Sequence, residues 1–205
     1  MLRSSTFRGG GVPTTAAIVL DNTNSMRAVD DGATAFSRAK MGARTVLDGL
    51  TSKDSAVLSL IDSPEGVHSR PTTAVGRMRA RLAAMECGYG TGTLDSALKR
   101  TTDSLGQSQN ERQEIYIFTD MQKLVWPPAV QEQAERLEKR FPDVPVFLVD
   151  VGTDVLKNLT VRRADFGSRI NVRGTASNLY CELQNTAARN VTGRLSMFLG
   201  GEKTQ

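Results

Sequence analysis

Ala16-Ala17-Ile18-Val19-Leu20-Asp21-Asn22-Thr23-Asn24-Ser25 passes from an apolar run straight into polar residues. A short run of this kind that ends on an acidic residue reads as a buried strand, delivering its last side chain to the carboxyl edge of a sheet. In open α/β sheets that edge is where ligands bind. Asp21, Thr23 and Ser25 alternate, so an extended or turning loop can point three oxygens the same way. One carboxylate and two hydroxyls make a hard, oxygen-only, weakly charged set, suited to a small divalent cation such as Mg²⁺ rather than to zinc or copper. By itself the stretch reads first as a strand-to-helix loop with a capping residue, because Asp, Asn, Thr and Ser are ordinary turn and cap residues.

Two further segments change that reading. Cys87-Gly88-Tyr89-Gly90-Thr91-Gly92-Thr93 is a glycine-rich loop that opens a helix with Leu94, Ala97, Leu98, Thr101 and Leu105 on one face. Thr93 stands where it can cap that helix, and the glycines let the backbone approach something closely. Ile115-Tyr116-Ile117-Phe118 is a second buried strand with Thr119-Asp120 at its end, so Asp120 faces the same crevice as Asp21.

Together these elements resemble a von Willebrand factor A domain with a metal-ion-dependent adhesion site. That family's site is Asp-x-Ser-x-Ser after the first strand, a Thr in a Gly-rich loop, and an Asp after the fourth strand. Asp21, Thr23 and Ser25 match the first element, with Thr keeping the hydroxyl of the first Ser; Thr93 matches the second and Asp120 the third. Met121 stands where many members have Gly. The resemblance spans about residues 14–152. It implies a three-layer, Rossmann-like α/β fold with a mainly parallel central sheet. It also implies Mg²⁺ (or Mn²⁺) bound through Asp21, Thr23, Ser25, Thr93 and Asp120, and a protein partner whose acidic side chain completes the coordination. A binding module, not an enzyme, is therefore expected. More narrowly, the Asp21–Met26 start, the Asp120-Met121-Gln122 exit with Trp126 after it, and Asn158-Leu159-Thr160-Val161 resemble bacterial aerotolerance-regulator (Bat-like) proteins. In those, an A domain precedes β-sandwich modules, and membrane segments lie elsewhere.

Composition fits this picture. The 205 residues allow one domain of ordinary size and part of a second. With 39% hydrophobic and 23% charged residues the chain has the makeup of a soluble globular protein. The net charge of +4 and the cluster Arg77, Arg79, Arg81 admit a nucleic-acid surface, but only 5% of residues are aromatic and no stacking motif occurs, so solvated faces are the better reading. Cys87 and Cys181 suggest no disulfide framework, and His68 is given no role. No apolar run is long enough to span a bilayer. Residues 1–13 read as a flexible lead-in.

Along the chain, Phe36, Ala39, Ala43, Val46, Leu47 and Leu50 mark a helix, with Asp30 and Asp31 before it to suit its dipole. Ser55–Ile61 is a strand, Val67–Arg70 a short antiparallel return, and Val75, Met78, Leu82 and Met85 a helix. Pro127-Pro128 starts a helix over Ala129–Arg140 with Glu132–Arg136 and Glu135–Lys139 at supportive spacing. Val144–Val151 is the last strand of the layer. Residues 153–205 change to β-rich text and read as the start of an immunoglobulin-like module too short to close. Its apolar residues should therefore stay partly exposed.

Three alternatives compete with metal-dependent protein binding. A degenerate A domain would be a metal-free scaffold. A haloacid-dehalogenase-like phosphatase needs a second Asp where Thr23 stands. Nucleotide binding is suggested by Gly88-x-Gly90-x-Gly92, but Leu94 breaks the tubulin-like signature and no Gly-x-x-x-x-Gly-Lys occurs.

Overall fold

The computed structural model describes residues 12–63, 70–90, 92–153, 159–167, 178–185, 190, 192, 194–196, 198–199 and 202–203. The chain divides into two compact units, Met1–Thr153 and Asp154–Gln205.

The first unit is built on four strands: β1 (Thr14–Leu20), β4 (Ser55–Leu60), β5 (Arg112–Thr119) and β6 (Val146–Asp150), in the order β4-β1-β5-β6. All three pairings are parallel, with Leu20 opposite Leu60 on one side and Phe118 on the other. Successive side chains of a strand point to opposite faces, and both faces are covered. Ala16, Ile18, Leu20, Leu58, Tyr116 and Phe118 pack under α1 (Ala35–Asp48) and α2 (Val75–Ala84). Ala17, Val19, Val57, Ile115 and Ile117 pack under α3 (Leu94–Leu105) and α4 (Ala129–Arg140). This is the expected three-layer α/β fold. It explains why the strands read as continuous apolar runs rather than alternating ones.

Some local expectations are corrected. Asp30 and Asp31 do not lead into the helix. Val29–Asp30 (β2) and Ala33–Thr34 (β3) pair as a small hairpin, with Asp31 at φ 49° and Gly32 at φ 76° forming its turn. Asp-Gly is a preferred pair for such a turn. Thr34 is the residue that caps α1, its hydroxyl accepting the Ser37 amide at 3.0 Å. Most of the expected return at Val67–Arg70 lies outside the described residues, as do Met1–Gly11 and His68. Among the described residues an antiparallel bridge joins Thr72 to Ala56 of β4. On α4 the Glu132–Arg136 ion pair forms, whereas Glu135 accepts from Gln131 at 3.3 Å and makes no salt bridge with Lys139 among the described residues. Arg79, one of the clustered arginines, is bound to the Leu47 carbonyl at 2.9 Å and to Asp48 at 2.7 Å.

In the second unit, β7 (Leu159–Phe166) and β8 (Leu179–Asn185) form an antiparallel pair, and β9 (Phe198–Leu199) pairs with β10 (Glu202–Lys203). A bulge between Val161 and Arg163 resets the alternation, so Val161/Leu183, Ala164/Cys181 and Phe166/Leu179 share one face. Val161, Phe166, Tyr180, Leu183 and Leu195 are exposed. The burial of Leu159, Met197 and Leu199 lies outside the description. Among the described residues no helix is long and apolar enough to cross a membrane.

Gly42 of α1 is where helix and sheet approach most tightly: a Cβ there would lie 2.5 Å from the ring of Phe118, which is fully buried. Gly42→Val is expected to destabilise the protein by about 1–3 kcal/mol, because overpacking outweighs the helix propensity regained. The check is a lowered urea midpoint at unchanged slope.

Candidate metal-binding site

The parallel ladder carries the chain past the end of β1: the Ile61 amide donates to Leu20 O and the Asp21 amide to Phe118 O, each at 2.9 Å. Asp21 is fully buried. Its Oδ1 accepts the Thr23 amide at 2.9 Å and the Thr23 hydroxyl at 2.7 Å, and its Oδ2 accepts the Thr119 hydroxyl at 2.7 Å. The Asp120 carboxylate accepts the Gln122 amide at 3.3 Å, and the nearby Ser25 hydroxyl favours its charged form. Burial pushes the Asp120 carboxyl above its ordinary range; the Ser25 hydroxyl and the Gln122 amide oppose this, and the charge of Asp21 adds to it. Asp21, Thr23, Ser25 and Asp120 thus form one continuous run of oxygens.

Counting protons in that run is informative. Thr23 has one hydroxyl proton, directed to Asp21. In its 3.2 Å contact with Ser25 the Thr23 oxygen therefore accepts and the Ser25 hydroxyl donates.

Thr93 follows the glycine loop at the start of α3. Gly88 N donates to Asn22 O at 2.8 Å, and Asn24 N donates to Gly90 O at 3.2 Å, tying the glycine loop to the Asp21–Ser25 loop. Thr93 occupies the N-cap position of α3 with extended backbone, but its side chain makes no capping hydrogen bond, contrary to the expected cap. Nor does a hydrogen bond join its hydroxyl to the other four residues among the described ones. That oxygen is available to something other than the helix.

Sequence reading missed three supporting residues. Thr119, also fully buried, holds the second oxygen of Asp21. Asn22 grips the backbone of Asp62 from both sides, Oδ1 accepting its amide at 2.8 Å and Nδ2 donating to its carbonyl at 2.9 Å. Asp62 is what the glycines approach: a Cβ on Gly90 would lie 1.9 Å from its Oδ2, and one on Gly92 would lie 2.6 Å from its Cα. An Asn directly after a buried strand-end Asp was the available hint for the grip. Nothing in the local sequence pointed to Asp62. Cys87 also belongs here, its thiol donating to Thr23 O at 3.2 Å. Burial pushes that thiol up; Arg27 opposes the shift, while Asp21, Asp120 and Asp62 add to it.

Among the described residues no group of three or more His, Cys, Asp or Glu side chains is placed to hold a metal ion.

A family model for the von Willebrand factor type A domain matches residues 16–122, which contain all of these groups. The chain belongs to the von Willebrand factor type A (VWA) domain family. Among solved structures, the VWA chain is similar to the conserved hypothetical protein BatB from Bacteroides thetaiotaomicron, at 16% identity and a TM-score of 0.59, over 84% of this chain and 80% of that one. It is also similar to an aerotolerance-related membrane protein from Bacteroides fragilis, at 17% identity and a TM-score of 0.58, over 82% and 81%. At such identities these likenesses bear on the fold. No curated protein matches the chain.

The backbone of this VWA domain accounts for the Gly that many relatives carry after the strand-end Asp: Met121 sits at φ 60°. The left-handed region costs a non-glycine residue about 1–2 kcal/mol, and Gly loses about 0.5–1 kcal/mol in chain entropy. Because Met121 is exposed, Met121→Gly is expected to be neutral to stabilising by up to about 1 kcal/mol, and Met121→Val destabilising by at least about 1 kcal/mol. Paired denaturant curves check both signs.

Asp120 gives a pH prediction. Its folded value is raised, so its contribution to stability is complete below the ordinary carboxyl range and is lost as pH rises through the folded value. At neutral pH the metal-free protein carries that penalty. Asp120→Asn should therefore melt higher than the parent at pH 7 in EDTA, with the gain vanishing in acid. A gain that persists below the carboxyl range would contradict this.

Proposed function

We propose that the VWA domain binds Mg²⁺ (or Mn²⁺) through Asp21, Thr23, Ser25, Thr93 and Asp120, and uses the cation to capture a carboxylate of a protein partner. The observation that carries this is the joining of Asp21, Thr23 and Ser25 through their oxygens, at 2.7 Å and 3.2 Å, with the half-buried Asp120 carboxylate in the same cluster. Each of the two hydroxyl oxygens keeps a lone pair that a cation can take. The Thr93 hydroxyl, unused by its helix, is the third neutral donor. Asp120, held in a partly desolvated position beside Asp21, gains from a positive charge.

The donor chemistry fits a hard cation with oxygen ligands. With three neutral hydroxyls as ligands and the carboxylates acting directly or through water, the ion would keep positive character, so an acidic side chain from a partner is a favourable last ligand. When bound, the metal supplies electrostatic attraction for that carboxylate. The chain's own residues fix its place: Thr119 and Thr23 orient Asp21, and the Gln122 amide orients Asp120. We read the domain as a binding module, since Thr23 replaces the second Asp of a phosphatase. The module is placed at residues 14–152, with residues 153–205 as a separate β-rich appendage. The fold likeness to BatB and to an aerotolerance-related membrane protein supports a Bat-like parent.

Thermal melts test the proposal. A ligand at a hundredfold its dissociation constant stabilises the native state by about 2.7 kcal/mol. EDTA is expected to lower the melting temperature and Mg²⁺ or Mn²⁺ to restore it, with Ser25→Ala and Asp21→Ala abolishing the response. A melting curve insensitive to millimolar-range Mg²⁺ would establish a metal-free scaffold instead.

A further inference from the structure

Arg27 ends the short helical turn Asn24–Arg27 that carries Ser25, and its guanidinium lies over the ring of Tyr89, 4.2 Å from the centroid. Its Nη1 donates to Cys87 O at 3.3 Å. Tyr89 is 78% exposed, yet its backbone is fixed on both sides, by Gly88 N to Asn22 O and by Asn24 N to Gly90 O. Among the described residues Arg27 forms no salt bridge. Cys87, whose carbonyl Arg27 holds, in turn donates its thiol to Thr23 O at 3.2 Å, so the guanidinium stands at the rim of the oxygen cluster.

An exposed arginine normally loses rotamer freedom when it engages an anion. Here the aromatic face and the carbonyl have already taken much of that freedom. The guanidinium keeps N–H donors beyond the one given to Cys87, in a planar fork matched to a carboxylate. Cation–π support also leaves the edge of the group open, because the ring takes its face. An exposed aromatic held in the open beside a charged centre is the composition found at binding hot spots.

We infer that Arg27, braced on Tyr89, is a second anchor of the binding face and selects an acidic protein segment with two neighbouring carboxylates, one for the metal and one for the guanidinium. This rests on the metal reading proposed above. It adds what that reading lacks: a reason for the domain to distinguish a di-acidic segment from any single Asp or Glu.

The test uses the full chain in saturating Mg²⁺ and two blocked tripeptides, one with a single glutamate and one with two, titrated by NMR. The wild-type protein is expected to bind the di-acid several-fold more tightly. Arg27→Gln should erase that preference while leaving Mg²⁺ affinity and single-glutamate binding unchanged. Tyr89→Leu, which keeps the charge and removes its platform, should lose part of it. Arg77→Gln, on the exposed side of α2, should keep it and so control for bulk charge. No preference in the wild type, or a preference that survives in both Arg27→Gln and Tyr89→Leu, overturns the inference and leaves metal binding standing. Absence of Mg²⁺-dependent binding of either peptide overturns the metal reading, and the second anchor with it.

Discussion

A carboxylate with no exposed surface sits at the end of a strand that is itself buried on both faces, and the functional edge of this VWA domain is organised around it. Asp21 cannot reach water, so its oxygens need donors from the protein. Thr23 supplies an amide and a hydroxyl to one oxygen, and Thr119 supplies a hydroxyl to the other. Hydrogen bonds to a charged group contribute about 1.5–3 kcal/mol each. That requirement turns the chain sharply after Leu20 and ties the end of β1 to the end of β5. The turn brings Thr23 next to Ser25, and Ser25 lies near Asp120. The oxygen cluster is thus a consequence of how a buried Asp is satisfied.

The second constraint is steric. The loop with Thr93 has to close over the end of β4, and the space is taken by Asp62. Gly90 and Gly92 are required there for lack of room, not for unusual backbone angles. Asn22 keeps Asp62 in place by pairing with its backbone as a neighbouring strand would. Three segments far apart in sequence are then joined at one edge by hydrogen bonds among Asn22, Asn24, Asp62, Gly88 and Gly90. Such a stitched edge suits a site whose ligands come from separate loops.

The two units differ in how their apolar residues are used. In the first, each face of the sheet is covered by helices and the strands carry almost no exposed apolar surface apart from β6, where Val146 and Leu148 are open. In the second, a bulge aligns Val161, Ala164 and Phe166 with Leu179, Cys181 and Leu183 on one side of a two-stranded pair. An isolated pair of strands is marginal in water. The bulge shows that the sequence is nonetheless arranged to present a single apolar face.

Much of the fold was written in local patterns. The runs Ala16–Leu20 and Ile115–Phe118 are β-branched and apolar because parallel strands are buried on both sides. The helices over 94–105 and 129–140 carry their periodicity openly. Asp21, Thr23, Ser25, Thr93 and Asp120 were legible as candidates because Asp21 and Asp120 follow strands, Thr23 and Ser25 alternate with Asp21, and Thr93 opens a helix. The hairpin before α1 was also present in the text, as Asp31-Gly32, but two-residue strands carry too little alternation to be read. What only the tertiary structure decided was which atoms meet. The grip of Asn22 on Asp62, the hydroxyl of Thr119 on Asp21, the ring of Tyr89 under Arg27 and the left-handed backbone of Met121 link residues or set angles with no periodic signature. A pattern along one strand or helix reports the face it buries. Contacts between loops depend on where the sheet brings separate strand ends together, and only the packed chain fixes that.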